Sequence, residues 1–287
     1  MSGQMKMFRS LLFVPGSRPD RFEKALAAGA DSICIDLEDA VPPQEKASAR
    51  AGVIGWLEAN AESSPACAIG VRMNGLDTLD GLKDIIAFSE TSARPDFLMV
   101  PKAGSHSALV NLTQLLEMNG PNRRQVALWV VIESVLGLKN ASSIAGVCGM
   151  RGGVLFGGAD YSLAIGTGMD WEALFHARAT LATEVRVTNG ALMDVPYLNV
   201  KDEEGLRAEC VRVKALGFDG KACIHPSQVA IVNEVFSPSA AELDWARRVV
   251  EAGRSQDGRA VLLDGKMLDI PVYLRAERIL SKAGIEF

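Results

Sequence analysis

Val126-Ala127-Leu128-Trp129-Val130-Val131-Ile132-Glu133 is an unbroken apolar run that ends on a carboxylate. A strand with one face in water alternates apolar and polar residues. An uninterrupted run instead suits a strand buried on both faces, as in a parallel sheet covered by helices. Similar runs precede it at Leu11 to Val14, Ser32 to Ile35, Cys67 to Val71 and Phe97 to Val100. Others follow at Val154 to Phe156, Leu192 to Val200 and Ala222 to Ile224. Segments with helical spacing lie between them, at Asp20 to Ala28, Lys46 to Asn60, Leu79 to Ser89, Ser107 to Met118, Trp171 to Val187 and Glu203 to Leu216. Gly29, Gly120 and Gly217 follow the last periodic residues, where a C-terminal cap is expected. Eight such alternations in about 235 residues match the repeat length of an α/β (β/α)₈ TIM barrel, usually roughly 250 residues long. A doubly wound open sheet is the rival arrangement.

With no Gly/Ser-rich linker or composition shift, residues 1–236 read as a single barrel domain and 237–287 as a C-terminal extension. That extension holds a helix-like segment from Ala240 to Ala252, a polar turn region from Gly253 to Gly258, an apolar piece from Ala260 to Leu263 and a final helix from Val272. It is expected to act as a lid or an oligomer contact. The net charge of −5 is scattered, without a basic run to track a nucleic-acid backbone or a lipid surface, so nucleic acid is excluded as a partner. No apolar stretch is long enough to span a bilayer, and Met1-Ser2-Gly3-Gln4 carries no apolar signal core; the expectation is a soluble, cytoplasmic chain with no membrane partner. Five cysteines without close pairs, Cys34, Cys67, Cys148, Cys210 and Cys223, argue against a disulfide framework or a CxxC site.

Barrels of this type carry their chemistry at the C-terminal ends of the strands. Here the second run leads into Asp36, Glu38 and Asp39, the third into Arg72 and Asn74, and the fourth into Lys102. The fifth delivers Glu133, the sixth Asp160 and the eighth His225. Together they would ring one mouth with acids and bases, at a desolvation cost that packing does not explain. Glu133 and Asp160 follow adjacent strands, and two carboxylates suit magnesium, which commonly takes one or two from the protein and leaves its other positions to water and substrate. The competing reading makes Asp160 a helix cap and pairs Glu133 with Arg72 or Lys102. Arg72 presents a planar fork of donors to an anionic oxygen, or else pairs with Glu38 or Asp39. Lys102 is either a Schiff-base lysine or a bystander, and His225, before Pro226, fixes a loop. The turn Pro15-Gly16-Ser17-Arg18-Pro19-Asp20-Arg21 joins a strand to a helix N-terminus and is a candidate phosphate site.

Seven motifs then fall in order: Arg9 to Gly16 (RSLLFVPG), Ile35 to Pro42 (IDLEDAVP), Val71 to Asn74 (VRMN), Val100 to Lys102 (VPK), Ile132 to Gly137 (IESVLG), Phe156 to Ser162 (FGGADYS) and Lys221 to Pro226 (KACIHP). Across nearly the whole chain this resembles the citrate lyase beta-subunit family of the HpcH/HpaI aldolase superfamily, which includes malyl-CoA, methylmalyl-CoA and citramalyl-CoA lyases. The resemblance implies a barrel, usually a homotrimer, that uses Mg2+ to cleave or form a bond between the α-carbon of an acyl-CoA and a 2-oxo acid. It implies Glu133 and Asp160 as metal ligands and Arg72 as the arginine that steadies a thioester enolate. Phe13, Arg18 and Lys24 are similar to the contacts to the adenine and pyrophosphate portions of coenzyme A. Asp264-Gly265-Lys266-Met267-Leu268-Asp269-Ile270-Pro271 is similar to a C-terminal lid motif whose second aspartate, Asp269, is the acid-base group reaching a neighbouring subunit. The sequence departs from many members at Gly157-Gly158-Ala159-Asp160, where they have Gly-Ala-Glu-Asp, and the chain is shorter than typical malyl-CoA lyases. The expected activity is a carbon-carbon lyase. A thioesterase using the same site, and a non-catalytic subunit that binds CoA or an acyl carrier, are the alternatives.

Overall fold

The computed structural model describes residues 8–61, 65–91, 95–118, 126–254, 261–263 and 266–285. Eight parallel strands close on themselves in the order of the chain: β1 Ser10–Pro15, β2 Ser32–Asp36, β3 Ala68–Arg72, β4 Phe97–Val100, β5 Ala127–Ile132, β6 Gly153–Phe156, β7 Ala191–Asp194 and β8 Gly220–Cys223. Ser10 to Leu12 of β1 pair with Lys221 to Cys223 of β8, which closes the ring. The chain is a (β/α)₈ barrel, not an open sheet.

The helices are α1 Phe22–Leu26, α2 Lys46–Ala59, α3 Leu79–Glu90, α4 His106–Met118, α5 Val135–Lys139, α6 Ala141–Cys148, α7 Gly158–Ile165, α8 Trp171–Glu184, α9 Glu203–Ala215 and α10 Ser227–Phe236. Short α5, α6 and α7 escaped the sequence reading because helices of five to eight residues span too few turns to display a periodic stripe. The seventh strand is shorter than Leu192 to Val200, since Pro196 lacks the N–H a ladder needs and β7 ends at Asp194. Gly29 and Gly217 have φ of 78° and 98°, as left-handed caps require; Gly120 lies outside the described residues.

Side chains alternate across the barrel wall. Leu11, Cys34, Phe97, Met99, Trp129, Val131, Leu155, Ala191, Met193 and Ala222 fill the interior, with Phe8. The rings of Phe8, Phe97 and Trp129 meet at centroid distances of 5.8–5.9 Å. All five cysteines are buried and none forms a disulfide. Burial pushes the thiols of Cys148, Cys210 and Cys223 up to about 12, so they serve as small hydrophobes.

The opposite parity faces the helices, where a buried ion network joins β7, β8, α8 and α9. Lys221 Nζ lies 2.6 Å from both Asp194 Oδ2 and Glu209 Oε1, and Arg178 Nε donates to Asp194 Oδ1 at 2.8 Å. Burial alone would raise the Asp194 carboxyl, but Lys221 and Arg178 outweigh it and hold the group below its ordinary range. Burial would likewise lower Lys221, and Asp194 and Glu209 reverse that.

By internal contacts the chain divides into two compact units, one up to Asn233 and one from Glu234. In the second, α11 Ala240–Arg254 packs on α12 Ile270–Lys282 around Ala246, Val249, Val250, Ala276 and Leu280. Two short antiparallel strands, β9 Val261–Leu263 and β10 Lys266–Leu268, complete it. Asp264 and Gly265 of the lid motif and residues 255–260 of the polar turn lie outside the described residues. Among the described residues no helix is long and apolar enough to cross a membrane.

Candidate active site

Three candidate residues share one geometric origin. Asp36 lies two residues after the interior Cys34, Arg72 four after the inward Ala68, and Glu133 two after Val131, so all three turn inward at the C-terminal rim. Asp36 and Arg72 are register partners on β2 and β3. Arg72 therefore grips Asp36 with both arms of its fork, Nε to Oδ1 at 2.7 Å and Nη2 to Oδ2 at 2.6 Å. Its Nη1 lies 3.0 Å from Glu38 Oε2 and 3.3 Å from Asp39 Oδ2. Asp36 in turn accepts the amides of Glu38 and Ala40 at 2.9 and 3.0 Å. The ion pairs expected with Glu38 and Asp39 are present, but the strongest partner is Asp36, which strand register alone would have indicated. Burial would lower the Arg72 guanidinium, yet the hydrogen bond to Asp36 and the charges of Asp36, Glu38 and Asp39 raise it further. The fork is charged and held by three carboxylates.

Phe13 lies under that fork, its ring centre 5.0 Å from the guanidinium carbon, so the structure places it beside Arg72. Arg18 is exposed and paired with Asp20 at 2.8 Å. Lys24 is exposed on α1. Arg18 belongs to the first strand-helix turn and Lys24 to the helix that follows it.

Glu133 is 6% exposed. Its Oε1 accepts the backbone amide of Lys102 at 2.6 Å. Its Oε2 sits against Gly157, where an added Cβ would lie 2.6 Å from that oxygen and overlap the Glu133 Cβ. The smallest residue is thus required beside the carboxylate. Burial, then the negative charge of Glu38, then that of Asp160 push the Glu133 carboxyl up to about 8, against the opposing Lys102 amide and Arg72 charge. Asp160 is exposed in the first turn of α7, whose N-cap is Gly157. It is not the capping residue. Glu133 and Asp160 are close enough for the charge of Asp160 to add to the effect of burial on Glu133, and a cation between them would offset both the desolvation and the repulsion. Among the described residues no group of three or more His, Cys, Asp and Glu side chains could hold a metal. Two carboxyl groups by their chemistry suit a hard cation that draws its remaining ligands from water and substrate.

Lys102 Nζ lies 3.0 Å from Glu38 Oε1. That contact raises the amine above its ordinary value and keeps it protonated. A Schiff-base lysine needs the opposite shift. His225 Nδ1 lies 2.8 Å from Ser227 Oγ and accepts the Ser227 amide, fixing the loop before α10. In the second unit Asp269 is the exposed N-cap of α12, its Oδ1 accepting the Val272 amide at 3.1 Å.

The family profile described as HpcH/HpaI aldolase/citrate lyase matches residues 9–226, the whole barrel through the loop that follows β8. The chain belongs to this family. Among its relatives, a (3S)-malyl-CoA thioesterase of Cereibacter sphaeroides is 38% identical over 99% of this chain and 97% of that protein. An L-malyl-CoA/beta-methylmalyl-CoA lyase of Rhodobacter capsulatus is 34% identical over 97% and 95%. The solved structure of CitE from Mycobacterium tuberculosis, in complex with magnesium, acetoacetate and coenzyme A, superposes with a TM-score of 0.76 at 31% identity, covering 96% of this chain and 98% of that one.

Proposed function

We propose that this family member is a magnesium-dependent carbon-carbon lyase that cleaves or forms a 3-hydroxyacyl-CoA thioester such as malyl-CoA. The observation that carries the reading is the pairing of two neighbouring carboxyl groups, Glu133 with its raised pKa and Asp160, and a guanidinium held by carboxylates, Arg72, on one barrel rim. Glu133 and Asp160 would hold the magnesium ion, which when bound supplies Lewis-acid polarisation and orientation of the 2-hydroxy or 2-oxo acid. In cleavage a base takes the hydroxyl proton, the bond between the hydroxyl-bearing carbon and the thioester α-carbon breaks, and its electron pair passes to the thioester as an enolate. Arg72 faces the enolate oxygen. Asp36, Glu38 and Asp39 hold the fork in place before the charge develops, so no reorganisation is needed when it does. Asp269 then delivers a proton to the enolate carbon, or removes one in the forward condensation.

Asp269 would come from a neighbouring copy in a cytoplasmic homotrimer, and the exposed apolar side chains Met267, Ile270 and Leu274 around it suit such a contact. Phe13 is assigned with Arg18 and Lys24 to the coenzyme A side of the site, where two exposed cations favour phosphate oxygens.

The test is product analysis with malyl-CoA and magnesium. The lyase releases acetyl-CoA and glyoxylate, and excess EDTA abolishes the reaction. Full activity in EDTA refutes the metal assignment, and no turnover of any thioester leaves only a binding subunit. A second reading, thioester hydrolysis in the same site, is supported by the thioesterase relatives at 37–38% identity; it releases free CoA thiol and malate with no 2-oxo acid.

A further inference from the structure

Among the described residues, Lys102 and Asn189 are the non-glycine residues with positive φ. Asn189, φ 55°, closes a short 3₁₀ turn, a place and a residue type for which that conformation is ordinary. Lys102, φ 53°, is neither glycine nor asparagine and stands just past the end of β4. Such residues mark functional sites when surrounding contacts hold them there.

The contacts show what the turn achieves. In an extended strand successive amides point to opposite sides, so only every second N–H faces a given neighbour. At the end of β4 two successive amides both face β5: Lys102 N donates to Glu133 Oε1 at 2.6 Å and Ala103 N donates to Val131 O at 3.1 Å. A left-handed residue at 102 is what allows both. The side chain, meanwhile, is 54% exposed and reaches Glu38, the buried carboxylate that also touches Arg72.

We infer that Lys102 is a positioning residue acting through its backbone: its left-handed turn aims an amide at Glu133 and fixes that carboxylate for cation binding, while its amine separately braces Glu38 in the Arg72 cluster. Glu133 is thereby clamped between the Lys102 amide and the close backbone of Gly157. The inference rests on the reading of Glu133 and Asp160 as a cation site, and it deepens that reading by separating the two jobs of one residue. A side chain that resists the left-handed region lets the loop relax when no cation is bound, and binding must then restore it. Glycine takes the conformation freely and loses only the amine.

The experiment is titration of the metal-free full-length protein with Mn2+ by electron paramagnetic resonance and with Mg2+ by calorimetry, in wild type, Lys102→Gly, Lys102→Ala and Lys102→Val. Thermal melts confirm folding, which an exposed side chain leaves intact. Lys102→Gly is expected to bind within about twofold of wild type and Lys102→Val about tenfold more weakly, with Lys102→Ala between. Lys102→Gly should lower kcat on the thioester while its metal affinity stays unchanged. The inference is overturned if Lys102→Gly loses as much cation affinity as Lys102→Val, or if Lys102→Val binds like wild type. A wild-type protein that binds neither cation overturns the metal reading and this inference together, a result distinct from a flat series in a protein that binds.

Discussion

The Glu133 carboxyl makes the pH dependence of cation binding a quantitative test. An ordinary glutamate ionises near 4.3. Burial and the neighbouring Glu38 and Asp160 push Glu133 up to about 8. At pH 7 about nine in ten molecules of the free protein therefore carry a proton on Glu133, and a divalent cation must displace it. The apparent affinity should fall about tenfold for each pH unit below 8 and level off above it. Calorimetry in two buffers of different ionisation enthalpy should find close to one proton, roughly 0.9, released per ion bound at pH 7. The stability of the metal-free protein should move the other way. Between 4.3 and about 8 the folded state holds one proton more than the unfolded chain at this site, so this group's contribution to stability declines as pH rises through that window. Added cation should restore the loss, with its largest rise in melting temperature at the alkaline end. An affinity that is flat from pH 6 to 9, with no proton released, would refute the placement of Glu133 in the cation site.

Two substitutions probe the scaffold. Gly157→Ala places a Cβ within 2.6 Å of Glu133 Oε2, an overpacking expected to cost about 1–3 kcal/mol and to weaken cation binding with it. Urea denaturation and Mn2+ titration read the two effects, and an alanine variant with wild-type affinity would show that the glycine is incidental. Lys221→Met leaves the buried Asp194 and the partly buried Glu209 to share Arg178 alone, at a cost of about 3–5 kcal/mol in stability. A change under about 1 kcal/mol in its denaturation curve would mean that the network contributes little.

The barrel was legible because its strands are buried on both faces and so announce themselves as unbroken apolar runs such as Val126 to Ile132. Glu133 and Arg72 were legible as candidates for a related reason, since a charge directly after such a run stands at the rim; Asp160 comes four residues after Phe156, in the first turn of α7. What stayed hidden depends on register or backbone angle. Asp36 was visible at a strand end, but its bidentate hold on Arg72 follows from the pairing of β2 with β3, which neither segment states alone. The amide of Lys102 belongs to the backbone, where side-chain chemistry gives no clue, and the need for glycine at 157 appears only once Glu133 lies beside it. The ion network around Lys221 was missed because its members come from distant segments, and the KACIHP stretch reads as an ordinary strand end.

The charge inventory of the rim sets an order of events. Five carboxyl groups, Asp36, Glu38, Asp39, Glu133 and Asp160, surround two cationic side chains, Arg72 and Lys102, and both cations are already engaged by carboxylates. A thioester or oxo acid that brings its own negative charge is repelled by this rim. A divalent ion held by Glu133 and Asp160 would lessen that repulsion and offer the anion a cationic ligand position. The expected order of filling is therefore cation first and organic acid second, since the empty rim repels carboxylates.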